Sequence, residues 1–253
     1  MTPARLLSTV LLFSAATFAV RADVTETLSR TYSLPADGIV QLHNINGDIT
    51  IVAWDRNEVS LEAVKRGRDD DDLKRISIDI DTQPDQLTVK TTIAKSPANW
   101  LPGTSSRAAV RYELRVPVQA RLERISSVNS SIKVEGVRGV VNLETVNGSI
   151  RATGLAADAE LESVNGSIAA EFTSLDAVRT ADLQSVNGRI DISVPKGANA
   201  RVETRSTNGR TSIDQAIKLD ASSRRRLSGE IGSGGGPLLK ARTTNGSVAI
   251  RES

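Results

Sequence analysis

Val146-Asn147-Gly148-Ser149-Ile150 returns eighteen residues later as Val164-Asn165-Gly166-Ser167-Ile168. Five further versions are Ile45-Asn46-Gly47-Asp48-Ile49, Val128-Asn129-Ser130-Ser131-Ile132, Val186-Asn187-Gly188-Arg189-Ile190, Thr207-Asn208-Gly209-Arg210-Thr211 and Thr244-Asn245-Gly246-Ser247-Val248. Repetition at a near-fixed period marks a stacked architecture and favours a long, regular surface over a catalytic pocket. Successive Asn residues lie 83, 18, 18, 22, 21 and 37 apart. Eighteen to 22 residues suit one rung of two or three short strands. The gap of 37 predicts a degenerate rung between Thr211 and Ala241, and the gap of 83 has room for four rungs.

Alignment on the Asn extends the pattern. Leu42, Ile125, Leu143, Leu161, Leu183, Thr204 and Ala241 stand four residues before it, and Ile49, Ile132, Ile150, Ile168, Ile190, Thr211 and Val248 three after. Polar residues such as Glu144, Arg151, Glu162, Gln184, Asp191 and Arg205 lie between the apolar positions. This is period-2 alternation on both sides of a turn, as in half-buried strands. Asn-Gly between alternating runs is also a strong hairpin signal, so an antiparallel meander is the alternative. The apolar residue before the Asn favours a parallel β-solenoid, in which a corner turns that side chain inward. Gly47, Gly148, Gly166, Gly188, Gly209 and Gly246 then supply the positive φ of the corner. Stacking would align Asn46, Asn129, Asn147, Asn165, Asn187, Asn208 and Asn245 into a side-chain ladder. The Ser or Thr two positions earlier would form a second polar ladder.

Composition sets the class. Aromatic residues are 3% of the 253, so the core must come from Val, Ile, Leu, Ala and Thr. Without Cys there is no disulfide framework, thiolate metal site or lipobox anchor. Residues 1–22 have a single positive side chain before an uncharged apolar run, then Val20-Arg21-Ala22, as in a cleavable signal peptide. Its removal takes Arg5 and Arg21 and no acid, so 32 basic residues become 30 against 30 acidic. Such a near-neutral chain, poor in rings, is not built for nucleic acid. No later stretch suits a membrane span.

The chain divides into the leader (1–22), an irregular N-terminal β section (23–117) and the regular Asn-Gly repeats (118–253). The two β sections form one domain. Ile76 to Asp81 and Leu87 to Ile93 predict a hairpin, Lys95 to Ser106 a flap, and Gly67 to Asp72 a charged loop. The Asp69 to Asp72 run lacks the spacing of a calcium loop and fits a solvated loop. His43, without Cys, makes no usual transition-metal site.

Ala53-Trp54-Asp55-Arg56, Tyr112-Glu113-Leu114-Arg115-Val116-Pro117 and the repeats together resemble the bacterial putative-adhesin family. The resemblance covers about residues 30 to 252. It implies an exported, all-β, right-handed solenoid with no enzymatic activity and no cofactor. Ser130, Thr207, Thr211 and Thr244 depart from the pattern. The resulting expectation is a periplasmic or surface module that binds a protein or glycan at the cell envelope. A periplasmic regulatory or sensing module that binds a peptide or membrane-protein partner is the alternative. A polysaccharide-active enzyme would need clustered outward carboxylates, and the outward positions show no concentrated acidic group. Self-association through sheet edges is a further expectation, because Ser253 follows the last predicted strand closely and leaves little chain to cap it.

Overall fold

The computed structural model describes residues 23–95, 108–214, 217–223 and 225–253. The predicted leader and nearly all of the predicted flap lie outside them. The protein is all-β. Its strands form a ten-stranded and an eleven-stranded sheet, both mostly parallel and neither closed.

Each Asn-Gly phrase joins a strand of the eleven-stranded sheet to a strand of the ten-stranded one. β10 (Val141–Asn147) and β11 (Ile150–Leu155) are a typical unit. They do not pair with each other. β10 pairs in parallel with β8 (Arg121–Asn129) and β12 (Ala159–Asn165), and β11 with β9 (Ile132–Glu135) and β13 (Ile168–Phe172). The phrase is therefore a corner between sheets and not a hairpin. Alternation puts Val141, Leu143, Ile150, Ala152 and Leu155 into the space between the sheets, where they are buried. Parallel pairing aligns Leu143 with Leu161 and Ile150 with Ile168, so the core is a set of like-on-like aliphatic rows.

The order of units departs from chain order. β14 (Thr180–Asn187) and β15 (Ile190–Val194) do not neighbour β16 (Ala200–Asn208) and β17 (Thr211–Ile213). The last unit, β20 (Leu238–Asn245) and β21 (Val248–Glu252), lies between them. The gap of 37 thus holds no degenerate rung. It holds β18 (Ile217–Ser222) and β19 (Arg226–Ile231), an antiparallel pair that covers the outer edge of β16. Nor is the C-terminal strand an edge, since β21 has a neighbour on both sides. Polarity accounts for the order. The inserted unit presents Ala241 and Val248, where the outer one presents Thr204 and Thr211. The more apolar unit takes the better-covered place.

The N-terminal section closes the other end with antiparallel strands. β2 (Ile39–Asn46) and β3 (Ile49–Trp54) form one more unit beside β8 and β9. Beyond them the ten-stranded sheet adds β7 (Ala109–Pro117), β4 (Glu58–Gly67) and β1 (Val24–Ser33). The eleven-stranded sheet adds β6 (Gln86–Ile93) and β5 (Ile76–Gln83). The gap of 83 therefore contributes one parallel pair of strands, β6 and β7, in place of four rungs. The expected charged loop is partly helical. Asp69 caps α1 (Asp70–Lys74) by accepting from the Asp72 amide, and Asp72 is buried against Arg75.

Candidate functional site

The site begins at the corners. One interior column is made of hydroxyls. Thr145, Ser163, Ser185, Ser206 and Thr243 are buried, and each donates to a corner carbonyl of the neighbouring unit. Ser163 to Gly148 O, at 2.9 Å, is typical. A corner carbonyl cut off from water needs a donor, and a short hydroxyl supplies one without filling the core.

Glycine fills the same corner for a different reason from the one expected. Among the phrase glycines only Gly47 (φ 100) and Gly246 (φ 157) have positive φ. At Gly148 and Gly166 a Cβ would stand 1.9 Å from the carbonyl oxygen of the neighbouring corner, and at Gly188 2.0 Å and Gly209 1.8 Å. Close backbone stacking, not left-handed geometry, excludes a side chain there. Ser130 escapes this constraint, and its Oγ donates to Gly47 O at 2.6 Å.

The seven Asn residues meet on the outside of the corners. Asn129 donates to Asn46 Oδ1, Asn147 to Asn129, Asn165 to Asn147 and Asn187 to Asn165, at 2.8 to 2.9 Å. The column continues from Asn245 to Asn187 at 2.7 Å and from Asn208 to Asn245 at 2.8 Å. At its near end Asn46 Nδ2 donates to Ala108 O at 3.1 Å.

The residue before the Asn is turned outward, contrary to expectation. Val128, Val146, Val164 and Val186 are 36%, 36%, 41% and 43% exposed. Strand parity explains it: with Leu143 and Thr145 inward, residue 146 must face solvent. These valines form one apolar row across four neighbouring strands of the eleven-stranded sheet. At about 4.8 Å per strand the row is ~14 Å long.

Charged rows run along one side of it. Glu144, Glu162, Gln184, Arg242 and Arg205 are in register, as are Asn142, Glu160, Asp182, Lys240 and Glu203. The sheet therefore gathers Glu144, Glu160, Glu162 and Asp182 into an acidic group that the linear sequence conceals. Basic residues follow on the next two strands. The Glu162 pKa is raised, first by burial and then by Glu160, Glu144 and Asp182. A groove runs here, lined by Glu162, Val164, Val186, Arg205 and Arg242 among others. At one margin Arg179 clamps Asp158 at 2.7 Å. Burial raises the Asp158 pKa, but amide donors from Arg179 and Thr180 and the guanidinium outweigh it, so the net shift is down. His43 bonds Ser126 at 2.9 Å. Among the described residues no group of His, Cys, Asp or Glu is arranged to hold a metal ion.

The fold is thus an open pair of mostly parallel β-sheets with ordered outer rows. The family called Toastrack DUF4097 matches residues 118–251, over half the chain, and the chain belongs to that family. A putative cell adhesion protein from Clostridium sporogenes shares the fold, with a TM-score of 0.55 over 91% of this chain and 100% of that one. Their sequences are 7% identical. A putative adhesin from Bacteroides fragilis aligns over 90% of this chain and 97% of its own, with 12% identity and a TM-score of 0.41. No curated protein matches the sequence.

Proposed function

We propose that this chain is an exported, non-enzymatic cell-envelope protein of the adhesin type, built as a solenoid-like stack. The outer face of its eleven-stranded sheet docks a protein partner. The exposed valine row carries this reading. Four equivalent valines in contact with solvent stabilise nothing inside the fold, yet they form a continuous apolar strip between the charged rows on one side and the Asn column on the other. Acidic residues on one side of the groove and basic residues on the other set the orientation of a partner. Unit-by-unit parallel pairing supports the solenoid, and the right-handed preference of parallel crossovers supports its hand. The leader-like first 22 residues support export. Among the described residues no helix is long and apolar enough to cross a membrane.

The test is retention of purified protein on isolated cell envelopes. Replacing Val146, Val164 and Val186 together with Thr, which keeps the branched shape and adds no row of like charges, should leave the melting temperature nearly unchanged and reduce retention by about tenfold or more. Arg151→Glu, on the other sheet, should leave retention intact. Equal retention of the triple variant would remove the docking role. Turnover of an envelope polysaccharide that is lost in Glu162→Gln would replace this reading with an enzyme.

A further inference from the structure

A second face carries a different kind of site. Trp54 ends β3 on the outer side of the ten-stranded sheet, whereas the valine row lies on the eleven-stranded one. Its Nε1 donates to Glu58 O at 2.8 Å, which satisfies the only polar atom of the indole and pins the ring. Arg56 lies 5.0 Å and Arg115 6.0 Å from the ring centroid. A cleft of about 520 Å³ opens beside the ring over outward Val52, with the strand at Ala53 and Leu114, whose side chains pack into the core, beneath it. Thr50, Ser60, Glu62, Glu113 and Arg115 complete its lining.

The two carboxylates are the unusual part. Glu62 and Glu113 are register partners across the antiparallel pair β4 and β7. Like charges directly opposite each other are destabilising. Among the described residues neither carboxylate makes an ion pair, although elsewhere on this outer face Glu135 is answered by Lys133 at 2.7 Å and Asp191 by Arg189 at 2.7 Å. Arg111 and Arg115 stand two residues to either side of Glu113 on the same face of β7, and Arg115 lies over the Trp54 ring. The arrangement thus leaves two carboxylate acceptors without an ion pair among the described residues, beside a fixed aromatic ring and the guanidinium that lies over it.

We propose that this cleft binds a saccharide, with preference for one that carries an amino sugar. A pyranose presents an apolar C–H face to the ring and the Val52 floor. Its edge hydroxyls donate to Glu62 and Glu113 and accept from Arg115. The ammonium of an amino sugar relieves the repulsion between the carboxylates, whereas a uronic acid adds to it. The site is on a different face from the proposed protein-docking surface and stands or falls separately.

The experiment uses the full chain with Trp100→Phe, which leaves Trp54 as its one tryptophan. Tryptophan emission and calorimetry follow titration with a glucosamine oligomer, its N-acetylated counterpart and a galacturonic acid oligomer. The expected result is saturable binding of the glucosamine oligomer, weaker binding of the N-acetylated one, and about tenfold or weaker binding of the acid. Glu62→Gln and Glu113→Gln should each weaken binding by about fivefold or more while the protein melts no lower, because each removes one of two opposed charges. Absence of saturable binding, equal affinity for the acidic oligomer, or unchanged affinity in both Gln variants would overturn the proposal.

Discussion

In residues 118–251 every corner but the one at Ser130 repeats one set of contacts: a buried hydroxyl on a neighbouring carbonyl, a backbone too close for a Cβ, and an Asn bonded to the next Asn. In residues 23–117 the same jobs are done by singular contacts. Asn44 occupies the hydroxyl column but reaches three carbonyls, Gly47 O at 2.7 Å, Val110 O at 2.8 Å and Asn46 O at 3.2 Å. Tyr112 is fully buried with its phenol on Thr91 at 2.7 Å. The difference is one of neighbours. A unit between two like units can use the same small device at every corner, whereas the end of a stack must change pairing direction and fill irregular space with larger groups.

The sharpest way to break this comparison is Gly166→Ala. Its Cβ would meet a fixed backbone oxygen at 1.9 Å. A loss of about 3 kcal/mol or more is expected in urea denaturation. Gly197→Ala, at φ 73 with open space around it, should cost only about 1 kcal/mol. Equal costs would show that backbone conformation, and not corner stacking, demands glycine.

Tyr112→Phe probes the singular side. It leaves the buried Thr91 hydroxyl without its partner, at a cost of about 1–2 kcal/mol. Burial pushes the Tyr112 pKa up to about 12, against which the Thr91 bond acts weakly. The unfolded phenol ionises near 10, so stability should fall as pH rises from there towards 12. A spectrophotometric titration that finds Tyr112 ionising at 10 would contradict the buried placement.

Asn165→Ala removes one donated and one accepted bond from the exposed column. A cost of about 1 kcal/mol is expected by thermal melting. Asn208→Ala, at the end of the column with its single bond to Asn245, should cost about half as much. A neutral result at Asn165 would mean that the column is a consequence of the stacking and not a contributor to it.

The smallest effect belongs to the outer face. Glu162 has its folded pKa raised above the ordinary 4.5, so its ionised form is penalised in the native state. Glu162→Gln should therefore stabilise by a few tenths of a kcal/mol at neutral pH. That gain should fade as pH falls through the folded pKa and be gone below 4.5. A gain that persists in acid would point to a cause other than charge.

The corners, the alternating strands and the all-β class were legible because they depend on residues a few positions apart. The outward valines were misjudged because a single apolar side chain was weighed above strand parity. Thr145 and Ser163 hold the inward places beside them, since a buried carbonyl needs a hydroxyl more than the core needs another methyl group. The acidic group was hidden for a related reason. Glu144, Glu160, Glu162 and Asp182 are spread over 39 residues and three strands, and only lateral pairing brings them together. The Trp54 cleft likewise joins segments 50–62 and 113–115 through the pairing of β3, β4 and β7.

By itself the sequence determined the repeating unit, the alternation of its strands, and where the chain turns from one sheet to the other. These follow from the two-residue period of a strand and the short polar corner. Tertiary structure alone decided which unit lies beside which. The phrases share one register, so Asn245 could pair with any of them. The final order places it between Asn187 and Asn208, because that buries the more apolar unit and leaves the threonine-bearing one to be covered by β18 and β19.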